Sequence, residues 1–268
     1  MKRQARRFNN AGRPSLAHKL FNWACSGSDA EACEWSHSEQ EILLRDHVSD
    51  LSGSVTLHAH LCAEGRSADC RELGRLYEFG LGVPQDYFRA EVYYSTLCDN
   101  GDAQGCSLRG DLYLRVSGVK DFPLALPFLT KACNAGDPRG CNGLGFGYSE
   151  GYGISRDYLR AATLFFNACD AGYANACANL GVLYQDGHGV EKNPSWSAVL
   201  FSQACDEESA EGCNLLAMVY DRGNGVRQDF PQAKALYEKA CNGGSEGGCE
   251  NLLGKLKSEH DDEANSIY

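Results

Sequence analysis

Apolar residues along this chain fall on helical spacing, and the spacing returns in segments of about 36 residues. Counting back from a cysteine, apolar side chains stand eight, five, four and one residues away. They are Ala161, Leu164, Phe165 and Ala168 before Cys169, and Ala233, Leu236, Tyr237 and Ala240 before Cys241. This i, i+3, i+4, i+7 stripe predicts an amphipathic helix. Twelve residues before the same cysteine lies Asp50, Asp86, Asp121, Asp157, Asn193 or Asp229. A carboxylate or amide oxygen there accepts an orphan backbone N–H and starts the helix. A second stripe counts forward from a cysteine. Four residues on is Gly74, Gly110, Gly145, Gly181 or Ala217, and seven on is Tyr77, Tyr113, Tyr148, Tyr184 or Tyr220. These share a helix face, and the small residue lets a neighbouring helix come close. That helix stops at a turn carrying Gly80/Gly82/Val83, Gly151/Gly153/Ile154, Gly187/Gly189/Val190 or Gly223/Gly225/Val226.

The cysteines join the two stripes. All 14 fall into pairs of constant spacing: Cys25/Cys33, Cys62/Cys70, Cys98/Cys106, Cys133/Cys141, Cys169/Cys177, Cys205/Cys213 and Cys241/Cys249. The pairs recur every 35 to 37 residues, a period that marks a repeat array. Most pairs carry a Gly three residues after the first Cys: Gly65, Gly101, Gly136, Gly172 and Gly244. One helix therefore ends near the first Cys and the next begins near the second. A tight turn of this kind brings two Cα atoms within the roughly 4.4–6.8 Å that a disulfide needs. The alternative is 14 reduced, buried thiols, but a cytosolic chain has no reason to hold seven pairs in one register. The expected fold is all-α: about six to seven disulfide-stapled helix-turn-helix repeats of 36 residues. Residues 1–13 read as a basic extension, 14–257 as one array and 258–268 as a tail. The repeats are 33–62, 70–98, 106–133, 141–169, 177–205 and 213–241, with a half repeat at 14–25 and a capping helix from 249. The unit from Cys33 is degenerate and predicts an altered first helix.

The string Leu-Gly-x-x-Tyr-x-x-Gly-x-Gly-Val, followed by Asp…Ala…Ala-Cys, resembles the Sel-1-like repeat, a relative of the tetratricopeptide repeat. With the Cys-x7-Cys staples it is similar to the secreted, cysteine-rich HcpB-like proteins of Helicobacter. The match runs from about Pro14 to Lys257 and is strongest from Cys62 to Cys249. The resemblance implies a right-handed α/α solenoid. It also implies two possible activities seen among relatives: penicillin binding or β-lactam hydrolysis, and mitochondrial cytochrome c oxidase assembly.

Composition narrows the setting. Each repeat is too small to bury its own apolar face, so neighbours must do it. Disulfides call for an oxidising compartment, and a closed loop this short stabilises by about 2.5 kcal/mol. The expected location is secreted or periplasmic, with the mitochondrial intermembrane space as the alternative. The basic start Met1–Arg7 precedes no apolar stretch, so it reads as a basic end rather than a leader. The formal net charge is −11, and setting aside six Lys/Arg in the first 28 residues leaves −17. Such an array should repel phosphate backbones, so nucleic acid and anionic lipid are poor fits as partners, and basic peptides or neutral glycans suit it better. No apolar run reaches membrane-spanning length.

Candidate chemistry is sparse. Seven residues between cysteines is not zinc-ligand spacing. His58, His60 and Cys62 cluster in His-Ala-His-Leu-Cys, which reads as a solvated face of a degenerate helix rather than a metal or haem site. No cofactor is expected. Ser117-Gly118-Val119-Lys120 matches the Ser-x-x-Lys string of penicillin-recognising enzymes. Yet Ser117 falls at a helix end, and neither Lys-Thr-Gly nor Ser-Asp-Asn follows. Ser117 and Lys120 are thus weak catalytic candidates, and a non-catalytic binding role is the expectation. By analogy with tetratricopeptide arrays, the first helices line the concave face, at one, five, eight and nine residues after each Cys. Those places hold Arg71, Arg75, Glu78 and Phe79; Asp111, Leu114 and Arg115; Asn142, Phe146 and Glu150; Asp186; and Asn214, Met218 and Arg222. Arg and Asn there suit a peptide carboxylate or backbone. Phe79, Phe146, Leu114 and Met218 are either contact sites or packing against flanking helices. The expected partner is a peptide, a protein or a peptidoglycan-like fragment.

Overall fold

The computed structural model describes residues 53–117 and 122–265. Cys25, Cys33, Asp50, Lys120, Asp121, the leading half repeat and the first helix of the degenerate unit lie outside those residues. Twelve helices and no strand occur among the described residues. They are α1 (53–63), α2 (Ser67–Phe79), α3 (Tyr87–Asp99), α4 (Ala103–Ser117), α5 (Phe122–Asn134), α6 (Pro138–Glu150), α7 (Tyr158–Asp170), α8 (Ala174–Asp186), α9 (Pro194–Asp206), α10 (Ala210–Arg222), α11 (Phe230–Gly243) and α12 (Glu246–Asn265). The chain divides into two compact units. One holds α1 to α7 with His188–Val190; the other holds α8 and the chain from Glu191 onward. Each is a stack of helix hairpins, with first helices α2, α4, α6, α8, α10 and second helices α3, α5, α7, α9, α11. The expected all-α repeat fold is what the structure shows.

The start signals act as read. Asp86, Asp157, Asn193 and Asp229 each accept the backbone N–H three residues on, at 3.0 Å. The small residue at the middle of each first helix is a socket. A Cβ added to Gly74 would lie 2.5 Å from the Tyr94 ring; one on Gly145 would lie 2.8 Å from Phe165, and one on Gly181 2.6 Å from Phe201. Each ring comes from the following second helix, four residues before its Cys. Ala217 shares a buried cluster with Tyr237 at the same two positions. In the α4–α5 hairpin the same place is taken by Leu129, 2.7 Å from a Cβ on Gly110. Helix–helix spacing within the hairpins is thus set by a large apolar side chain seated on a small residue.

Disulfides close the joints. Cys62–Cys70 has a Cα–Cα distance of 4.7 Å, while Cys98–Cys106, Cys133–Cys141, Cys205–Cys213 and Cys241–Cys249 all have 4.4 Å. Cys169 and Cys177 are also disulfide-bonded. The shorter joints carry Gly105, Gly140, Gly212 or Gly248 before the second Cys, where a Cβ would meet Leu97, Ala132, Ala204 or Ala240 at 2.5–2.6 Å. The 4.7 Å joint carries Asp69 there. The capping helix α12 runs on to Asn265. Residues 258–265 contain neither Gly nor Pro to stop it.

Candidate functional site

The residue four before the second Cys stands at the start of the next first helix, and at Asp102, Asp137, Ser209 and Ser245 it also ties that helix to the previous repeat. Asp102 accepts the Gly105 N–H at 2.8 Å and pairs with the Arg71 guanidinium. Asp137 accepts from the Ser107 hydroxyl. Ser209 accepts the Gly212 N–H at 3.1 Å and donates to Asn175 Oδ1 at 2.7 Å. Ser245 accepts the Gly248 N–H at 3.0 Å and donates to Glu211 Oε2 at 3.0 Å. An ionised carboxylate can only accept, so the Asp caps face donors. A hydroxyl does both, so the Ser caps face acceptors.

Further ties run between successive first helices. Glu78, with its side chain 4% exposed, accepts Tyr94 Oη and Arg115 Nε, both at 2.8 Å. Burial raises the Tyr94 phenol pKa, and the Glu78 charge pushes the same way. Arg115 also covers the Phe79 ring at 4.8 Å. Arg139 Nε donates to Asp111. Burial lifts the Asp111 carboxyl against the pull of that guanidinium. Burial alone would lower the Arg139 pKa, but Asp111 outweighs it and holds it above its ordinary value. In the second unit, Lys255 pairs with Asp221 at 2.5 Å, and Asn251 donates to Asn214 at 2.9 Å.

Within the first unit a cleft of about 360 Å³ crosses the starts of α2, α4 and α6. Arg71, Glu72 and Arg75 come from α2, Gln104 and Leu108 from α4, and Asp137, Pro138 and Arg139 from the start of α6. Ala68 and Tyr173 complete the wall. Three consecutive repeats therefore contribute to one site.

The Sel1 repeat profile matches residues 67–102, 106–137, 138–173, 174–209 and 210–245. The chain belongs to the Sel1 repeat family. A Sel1 repeat protein from Oxalobacter formigenes is similar in structure, with 24% identity and a TM-score of 0.59 over 72% of this chain and 86% of that one. A protective antigen of uropathogenic Escherichia coli with the same repeat fold has 26% identity and a TM-score of 0.56, over 87% of this chain and 50% of the antigen. Cytochrome c oxidase assembly factor 7 of Xenopus tropicalis is 30% identical over 122 residues, which is 43% of this chain. The match spans about half the length of that relative, 53%.

In this Sel1 array the residues singled out from sequence separate by their surroundings. Arg71, Asp111, Arg115 and Asn214 are engaged in ties between repeats, and Glu78 is buried rather than water-facing. Leu114, Phe146 and Met218 are partly buried against core clusters, which is the packing alternative for each. Asn142 is half-buried and has a partner. Arg75, Phe79, Glu150, Asp186 and Arg222 are exposed. The cleft brings together Arg71 and Arg75 alone from that set. It adds Arg139, which sequence reasoning missed because it lies two residues before its Cys, outside the positions sampled. Ser117 is the last residue of α4, with Lys120 outside the described residues. Cys62 is spent in its disulfide, and His58 is half-buried against Asp69 at 2.9 Å rather than solvated. No helix among the described residues is long and apolar enough to cross a membrane.

Proposed function

We propose that this Sel1 protein is a disulfide-stapled interaction module of an oxidising compartment, secreted or periplasmic. It binds a peptide or protein segment on its first-helix face. The cleft across α2, α4 and α6 carries the reading, because its walls come from three repeats and hold both apolar and charged groups. A photo-cross-linking amino acid placed at Gln104, on the cleft wall, tests it against the same group at Phe166, exposed on α7. The oxidised protein is expected to cross-link a partner from Gln104 and not from Phe166. Equal labelling from both, or none from Gln104, removes the reading.

The likeness to a cytochrome c oxidase assembly factor supports a second reading, an assembly factor of the mitochondrial intermembrane space. That compartment also accommodates disulfides. Expression in cells lacking the relative, followed by measurement of assembled oxidase, separates the two. Recovery of oxidase favours the second reading, and no recovery removes it.

A further inference from the structure

Resting on that reading, we propose that the cleft takes a peptide carboxylate lying beside an apolar side chain. Its charged lining is three guanidinium groups, Arg71, Arg75 and Arg139, against two carboxylates, Glu72 and Asp137. What it offers is a cluster of guanidinium donors rather than net positive charge, since Arg71 and Arg139 each have a carboxylate behind the wall. Two of the guanidiniums are held before any ligand arrives. Arg71 pairs with Asp102 and Arg139 with Asp111, and neither carboxylate lines the cleft. Each guanidinium carries five N–H donors, so such a pairing leaves donors for a second acceptor. Side chains fixed in advance lose little freedom on binding. Arg75 sits one turn beyond Arg71, its side chain 54% exposed, in a 3.8 Å pair with Glu72 of the same helix. It can swing onto a ligand carboxylate, for which the planar fork is the matched partner.

The two cleft carboxylates compete weakly. Asp137 is buried and accepts from Ser107, while Glu72 has a half-exposed side chain. Leu108, Pro138 and the Tyr173 ring supply an apolar wall. A space of about 360 Å³ admits one or two residues rather than a folded surface. The fitting ligand is a chain end or a single acidic side chain next to an apolar one.

Titration of 15N-labelled, oxidised full-length protein with three probes tests this. They are N-acetyl-Ala-Leu as the free acid, its C-terminal amide, and N-acetyl-Leu-Asp amide. The carboxylate probes are expected to shift the Arg75 and Arg139 Nε–H signals, and the uncharged amide is not. The free acid binding better assigns a chain terminus; the Asp probe binding better assigns an acidic side chain. Arg75→Gln, at an exposed position that leaves the repeat ties intact, is expected to weaken binding about tenfold or more. Added salt weakens it further. Equal affinity for acid and amide, or no shift with any probe, overturns the inference. Cross-links from Gln104 that persist while the probes fail would sink the carboxylate inference alone. Carboxylate binding without those cross-links would sink the interaction reading alone.

Discussion

Glu208 occupies a backbone position that five other joints give to glycine. It lies three residues after Cys205 with φ 65°, where Gly65, Gly101, Gly136, Gly172 and Gly244 have φ between 81° and 106°. An L-residue in the left-handed region costs about 1–2 kcal/mol. Glycine avoids that, but loses roughly 0.5–1 kcal/mol more backbone entropy on folding. Glu208→Gly is therefore expected to stabilise by about 0.5–1 kcal/mol. For a chain of this size that raises Tm by about 1–4 °C. The reverse exchange at Gly136 isolates the backbone effect, because an added Cβ there meets nothing within 4 Å. Gly136→Ala should lose a comparable amount. The Cys205–Cys213 disulfide spans position 208 and already restricts the unfolded chain locally. Part of the glycine entropy penalty is thereby removed, so the gain should be larger in oxidised than in reduced protein. Thermal unfolding followed by far-UV circular dichroism, with urea titration in parallel, measures both. A Glu208→Gly protein that melts at or below the parent, beside a Gly136→Ala protein that is unchanged, would refute the assignment of strain to these joints.

Other outcomes follow from the packing. Gly181→Val forces a side chain against the fully buried Phe201 ring, at 2.6 Å from its Cβ. Urea unfolding should show a loss of about 1–3 kcal/mol, partly recovered with Phe201→Ala in the same chain; an unchanged midpoint would rule out the socket. Burial, reinforced by the Asp221 charge, pushes the Tyr237 phenol up to about 12. Its folded pKa is above the unfolded value of about 10, so this stabilisation is complete below pH 10 and is lost as pH climbs toward 12, a span of about 2–3 kcal/mol. Tyr237→Phe should move the alkaline limb of the stability curve to higher pH, and an unmoved limb argues against the shift. Pro127 is the sixth residue of α5 and is exposed, and its ring denies the Pro123 carbonyl a helical donor. Pro127→Ala should raise stability by about 1–3 kcal/mol in the same assay.

Positions fixed by backbone geometry were legible in the sequence, and positions fixed by pairing were not. The Asp86 and Asn193 caps, the Gly74 and Gly181 sockets and the left-handed Gly at the joints recur because each repeat needs them separately. A single repeat is enough to interpret them. Arg71, Asp111, Glu78 and Asn214 vary from repeat to repeat, and variability suggests freedom to read a ligand. The structure uses them differently: each satisfies a partner in the neighbouring repeat, so they vary together with that partner. Asp102 requires a donor and has Arg71; Ser209 requires an acceptor and has Asn175. Complementary donor–acceptor changes 28 to 37 residues apart were the signal available for this, visible only when two repeats are compared at once. Removing the paired residues from the variable set leaves few side chains whose identity the array does not explain. Arg75 on the cleft wall is one of them, at a point where the neighbouring guanidiniums are already held in place. That subtraction, rather than exposure or variability, makes the α2–α4–α6 cleft the part of the Sel1 array most open to selection by a partner.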